Sequence, residues 1–178
     1  MSTRARPYAS GTSVSITRSK EQIETELRRL GAQRRAFYDD DEQGRAVVAF
    51  ERANIRYTIL LPLPDPQDPK YRHTPVRGYA RDDEQTRQAW EQDTRERWRA
   101  LAEHIKAVRI AAEAGIIRIE QALLAHVTLP NGQTVGQWAE EQLPEIARSG
   151  TMPPFLPGYS EPRHLLRLPE QQETKNGF

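Results

Sequence analysis

The stretch RRAFYDDDEQGRAVVAFERANIRYTILL, Arg34–Leu61, decides the fold. It holds three short runs rich in β-branched and aromatic residues, separated by turn chemistry. Arg34 to Asp39 predicts a first strand, closed by the polar run Asp39-Asp40-Asp41-Glu42-Gln43-Gly44. Arg45 to Arg52 predicts a second, with Val47, Val48 and Phe50. Ala53-Asn54 reads as a two-residue turn, and Ile55 to Leu61 as a third strand. Ile55, Tyr57, Ile59 and Leu61 alternate with Arg56, Thr58 and Leu60, so the first set shares one face. Connections this short make the strands an antiparallel meander. Three strands need cover on their apolar face to be stable.

That cover is predicted on both sides of the meander. Upstream, Ser19 and Gln22 form a Ser-x-x-Gln capping box, Ile23, Leu27 and Leu30 give an apolar stripe, and Gly31 is a good stop. Downstream, a helical pattern runs from about Arg81 to Ala114. Trp90, Thr94, Trp98, Leu101, Ile105, Val108 and Ala112 recur every three or four residues and share one stripe. Arg81, Arg87, Arg95, Arg99, Lys106 and Arg109 fall on one flank; Asp93, Glu96 and Glu103 fall on the back. Between sheet and helix, Pro62 to Tyr79 holds Pro62, Pro64, Pro66, Pro69 and Pro75, which exclude helix or central strand. This loop also carries Lys70, Arg72, His73 and Arg77 beside Tyr71 and Tyr79.

Further on, Ile116 to Leu129 reads as a helix, Leu129-Pro130-Asn131-Gly132 as a turn, and Val135 to Leu143 as a last short helix carrying Trp138. The expected organisation is a flexible arm over residues 1–18, a single α+β domain over 19–150, and a Pro-rich tail over 151–178. The fold class is α+β: a three-stranded antiparallel meander packed by an N-terminal helix and a long helix, then a helical pair and the tail.

Composition narrows the function classes. The chain of 178 residues has a net charge of +1, which argues against a strongly basic tail-type nucleic-acid binder. Any attraction to phosphate must come from local segregation of charge. The absence of cysteine excludes disulfides and thiol nucleophiles. No apolar run approaches the roughly 20 residues that span a bilayer. The N-terminus is basic but lacks the apolar core of a secretory signal. A cytoplasmic protein with no membrane partner is expected.

Gly-rich nucleotide loops, the phosphate-loop Lys-Ser/Thr pair, the nucleophile elbow and the zinc-binding His-Glu-x-x-His pattern are missing. His73, His104, His126 and His164 are scattered, with no ligand spacing. Asp39-Asp40-Asp41-Glu42 is the one carboxylate cluster, and it lacks the alternating ligands of a calcium loop. Acidic residues are ordinary at hairpin tips. The expectation is a non-enzyme with no cofactor and no metal. The basic evidence is stronger. Arg34, Arg35, Arg45, Arg52 and Arg56 decorate the meander, interleaved with Tyr38, Phe50 and Tyr57. Guanidinium against phosphate and ring against base is how single strands are often held. Phe50 and Tyr57 equally suit the core by their alternation.

Leu61-Pro-Leu-Pro-Asp65, Trp98-Arg-Ala-Leu-Ala-Glu-His-Ile-Lys-Ala, Glu113-Ala-Gly-Ile, His126-Val-Thr-Leu-Pro-Asn-Gly and Thr134-Val-Gly-Gln-Trp138 carry a resemblance. Residues 12 to 140 resemble a family of small proteins of uncharacterised role encoded by phages, prophages and other mobile elements. The resemblance implies a mobile-element setting and transfers no functional residue. The order helix, meander, helix is similar in topology to the double-stranded RNA-binding domain, whose lysine-rich motif this chain lacks. It is also similar to the core of single-strand annealing proteins. The expected function is a non-enzymatic, nucleic-acid-associated protein, for single-strand binding or annealing. Phosphate contacts would come from Arg45, Arg56, Arg95, Arg99, Lys106 and Arg109, with stacking by Tyr38. The alternative is a protein-interaction or assembly subunit, self-associating or bound to another protein, or an inhibitor of a host nucleic-acid enzyme. Its motive is the Pro-rich segments Pro62–Pro75 and Pro153–Pro169.

Overall fold

A computed structural model of the chain describes Ala9 and residues 11–151. The chain divides into two compact units, residues 1–139 and 140–178. The first unit holds the α+β architecture. Its elements are α1 (Ile16–Arg29), β1 (Gln33–Asp40), β2 (Arg45–Arg52), β3 (Ile55–Pro62), α2 (Asp83–Glu113), a single turn α3 (Ile119–Ala122) and the start of α4 (Val135–Ser149). The sheet order is β1-β2-β3, both pairs antiparallel. Phe37 faces Val48, Val48 faces Ile59, and Phe50 faces Tyr57. This row lies on the inner face.

The turn between β2 and β3 sets that register. Ala53 and Asn54 both have positive φ, at 48° and 63°. A two-residue turn of that hand follows the natural twist of the flanking strands. Above the inner face, α1 contributes Ile23 and Leu27, and α2 contributes Trp98, Leu101, Ala102, Ile105 and Val108. Trp98 is 2% exposed and Tyr57 fully buried. The Phe50 and Tyr57 rings stack at 5.1 Å between centroids, 13° apart. Both aromatics therefore serve the core and are withdrawn from base stacking.

The first helix begins earlier than its sequence suggests. Ser15, not Ser19, is the N-cap, its side chain accepting from the Arg18 amide at 3.2 Å. Ser19 is fully buried inside the helix and donates to the Ser15 carbonyl. Residues 16–18, expected in the arm, belong to the helix, and Ile16 packs against the core; residues 1–8 and 10 of the expected arm lie outside the described residues. Gly31 ends α1 as predicted. At φ +79° it donates to Arg28, while the Ala32 amide bonds the Leu27 carbonyl at 2.9 Å. These two bonds satisfy carbonyls the helix end would leave open.

Ile116 to Leu129 is not a continuous helix. Gly115 stops α2 at φ +70°, α3 makes one turn, and a 3₁₀ turn spans Leu124–His126. Tertiary pairing explains the break. Val127 bridges Tyr57, and the Thr128 amide bonds the Arg56 carbonyl at 2.8 Å. The open edge of β3 takes this segment as extended backbone, overriding its helical periodicity. The helix carrying Trp138 runs past Leu143 to Ser149, with Pro144 inside it. Its N-cap is Thr134. The Thr134 amide donates to Gln137 Oε1 at 2.9 Å, and the Gln137 amide donates to Thr134 Oγ1 at 3.2 Å. In the second unit, Arg148 pairs with Glu145 at 2.7 Å in the final turn. The predicted tail, 151–178, lies outside the described residues apart from Thr151.

Candidate nucleic-acid interface

The strand alternation that buries Val48 and Tyr57 turns the intervening residues outward. Tyr38, Val47 and Leu60 form one cross-strand row on this outer face; Asp40 and Arg45 form the next; Glu51 and Arg56 lie at the opposite end. Segment 127–135 folds back beside β3. The Leu129 amide bonds the Gln133 carbonyl at 2.7 Å, Thr128 bridges Thr134, and the Thr58 and Thr128 hydroxyls meet at 2.9 Å. The turn Asn131–Gln133 thereby forms one wall of an open hollow of about 460 Å³, floored by Val47, Ala49, Thr58 and Leu60. A second hollow of about 580 Å³ adjoins it, sharing Arg56 and Thr128 and lined also by Arg34 and Asn54. Together they make a groove running along the strands, from the Tyr38 row to the Glu51–Arg56 end.

Charge along this groove is uneven. Arg45 is matched by Asp40 at 2.9 Å. Glu51 is shared: Arg34 reaches it at 2.6 Å and Arg56 at 3.7 Å. Two arginines over one carboxylate leave a positive excess, and the Arg56 side chain is 66% exposed. At the other end Tyr38 is 53% exposed. Arg34 sits at a bulge in β1, where pairing skips between Gln33 and Ala36, at φ +46°. From that bulge Arg34 lines the second hollow, a placement its sequence position did not specify.

The long-helix cations have a different setting. Arg99 binds Glu103 at 2.6 Å and Gln22 of α1 at 2.5 Å. Arg109 pairs with Glu26 of α1 and with Glu113. Arg95 donates to Gln92 at 2.7 Å and lies 3.8 Å from Glu91. Lys106 is held loosely, 4.0 Å from Glu103. This flank forms the seam between α1 and α2, across the core from the outer sheet face. Of the seven sequence-selected residues, the structure brings together Tyr38, Arg45 and Arg56. Arg95, Arg99, Lys106 and Arg109 lie elsewhere, and three of them are engaged within the fold. Arg34, one of the meander arginines, was not selected as a phosphate contact, and sequence reasoning missed Asn131 and Gln137. The Thr134-Val-Gly-Gln137 capping signature was the available signal for the fold-back that carries Asn131.

Among the described residues, no three or more His, Asp or Glu side chains cluster as a metal site. The acidic run is spent on the β1–β2 turn: Asp40 accepts from the Gln43 amide and pairs with Arg45, while Asp39 lies 3.9 Å from Lys20. Among the described residues, no helix is long and apolar enough to cross a membrane. No family model, no curated protein and no solved structure matches the chain.

Proposed function

We propose that this chain is a non-enzymatic single-strand nucleic-acid-binding protein that uses the outer face of its sheet. One observation carries the reading: the outer face is an open groove with an exposed aromatic at one end and an arginine pair over a single carboxylate at the other. A base stacks on Tyr38, the strand crosses the apolar floor, and Arg56 and Arg34 take phosphates. Stacking on an exposed ring is sequence-tolerant and worth roughly 1–3 kcal/mol per base. At the wall the Asn131 and Gln137 side-chain oxygens already accept from the Gln133 and Thr134 backbone amides, so base edges would meet their remaining N–H donors. A mobile-element setting, suggested by the sequence resemblance, is consistent with a small protein handling transient single strands.

The test is anisotropy of labelled single- and double-stranded DNA and RNA across a salt series. Single strands should bind more tightly than duplex, with affinity falling as salt rises. Tyr38→Ala should weaken binding about tenfold, in line with the loss of one stacked base. Arg56→Glu should weaken it further and flatten the salt dependence. Binding indifferent to salt, or unchanged in both variants, would sink the proposal.

A second reading rests on a separate observation. Ile110, Ile116 and Ile117 are exposed around the end of α2, Ile116 by 79%. A stable oligomer without nucleic-acid affinity would favour an assembly subunit instead.

A further inference from the structure

The Pro-rich loop, which the sheet groove does not use, is tied down residue by residue. Asp65 accepts from the Gln67 amide at 2.8 Å, and Asp68 caps a 3₁₀ turn over Pro69–Arg72. The buried Tyr71 hydroxyl donates to Asp93 of α2, and Lys70 reaches the same carboxylate at 3.0 Å. His73 bridges Ala80, and the Arg81 amide bonds the Arg72 carbonyl at 2.8 Å. Trp90 Nε1 donates to the Pro64 carbonyl at 2.8 Å, which ties the indole to the loop. Between this loop and the first turns of α2 lies a cleft of about 510 Å³.

The cleft's chemistry is lopsided. Arg72, His73 and Arg81 line it together with Trp90 and Gln67. The exposed Arg72 guanidinium has no ion pair or hydrogen bond among the described residues. Arg81 is oriented by one bond to the Tyr71 carbonyl at 3.2 Å, which leaves its other donors available. Arg87 also lines the cleft but is neutralised by Glu84 and Glu91. Asp83 is the opposing carboxylate. The helix end itself is closed, since the Asp82 side chain accepts from the Gln85 amide at 2.7 Å. Recognition therefore falls to side chains: a positive pair beside an indole anchored at Nε1.

We infer that this cleft binds a nucleotide, its phosphates on Arg72 and Arg81 and its base against Trp90. Arginine matches phosphate oxygens with paired donors, and an indole face suits a flat heterocycle. The site is independent of the sheet groove and would remain if that groove bound nothing.

The experiment is calorimetric titration of the full chain with ADP, with pyrophosphate and with adenosine. ADP should bind, and each fragment should bind at least tenfold more weakly. Arg72→Ala should weaken ADP at least fivefold, and Gln67→Glu should act likewise from the cleft mouth. Asp83→Asn should tighten it, an effect that misfolding cannot produce. Arg56→Glu, on the sheet groove, should leave ADP affinity unchanged. Absence of ADP binding at millimolar concentration would overturn the inference. So would equal affinity for pyrophosphate, or loss of binding in Arg56→Glu alone.

Discussion

Three hydroxyl residues show how position decides what one chemistry does. Ser15 and Thr134 cap helices, each accepting from a backbone amide in the first turn. Ser19 resembles a cap in sequence but lies one turn inside α1, donating to a carbonyl. Thr134→Ala should cost about 1 kcal/mol, the usual loss for a cap, in denaturant unfolding. Ser19→Ala should cost less, since it removes no acceptor from an open helix end. Equal losses at the two positions would mean that capping does not hold α4 in place. The Lys70–Tyr71–Asp93 cluster shows a different balance. Burial works against the Asp93 charge, yet hydrogen bonds from Tyr71 and Lys70, with Arg97 nearby, hold its carboxyl below the usual range. Burial and the same carboxylate push the Tyr71 hydroxyl up.

At the scale of the element, α2 has two working sides. Its apolar stripe covers the sheet, and its basic flank is stitched to α1 through Gln22 and Glu26. The segregated charge therefore serves packing between helices. The double substitution Arg95→Glu, Arg99→Glu should lower the melting temperature by placing two carboxylates beside Glu91 and Glu103. It should leave single-strand affinity within about twofold at moderate salt, because these side chains line neither hollow of the sheet groove and are engaged with Gln92, Gln22 and Glu103. A normal melt with lost binding would return the helix flank to the interface. The short element 127–128 works in the other direction: it gives up helix to protect the β3 edge, and so places Asn131 at the groove.

For the molecule as a whole, acid stability follows from a histidine. His126 is held below its ordinary value of 6.5, chiefly by burial and secondarily by the neighbouring charge of His104. The unfolded chain then takes up the proton first. The stability that neutral His126 contributes is complete above its ordinary value and is lost as pH falls through the lower, folded one. Asp93, also depressed, acts in a separate window below its ordinary 3.8. The melting temperature should therefore decline between about pH 7 and about pH 5, the range in which histidine titrates. His126→Asn should flatten that decline while leaving the loss at stronger acid. An unchanged slope would assign the decline to other groups.

The local signals in this chain were sufficient wherever one element's own pattern decides its structure. Residues 45–52 read as a strand from composition alone, Ile55–Leu61 show their inner face by alternation, and the 3.6-residue stripe of α2 is legible because each residue's neighbours are on the same helix. Gly31 and Gly115 stop helices for a backbone reason visible in sequence. What the sequence could not settle depends on partners far away along the chain. Whether an arginine faces solvent or a carboxylate was decided by Glu26 meeting Arg109 across 83 residues. Whether 127–128 is helix or strand was decided by the unpaired edge of β3. The candidate groove exists because one sheet face was covered and the other left open. That is a property of layer packing, where burial of apolar area outweighs the weak preferences of any single segment.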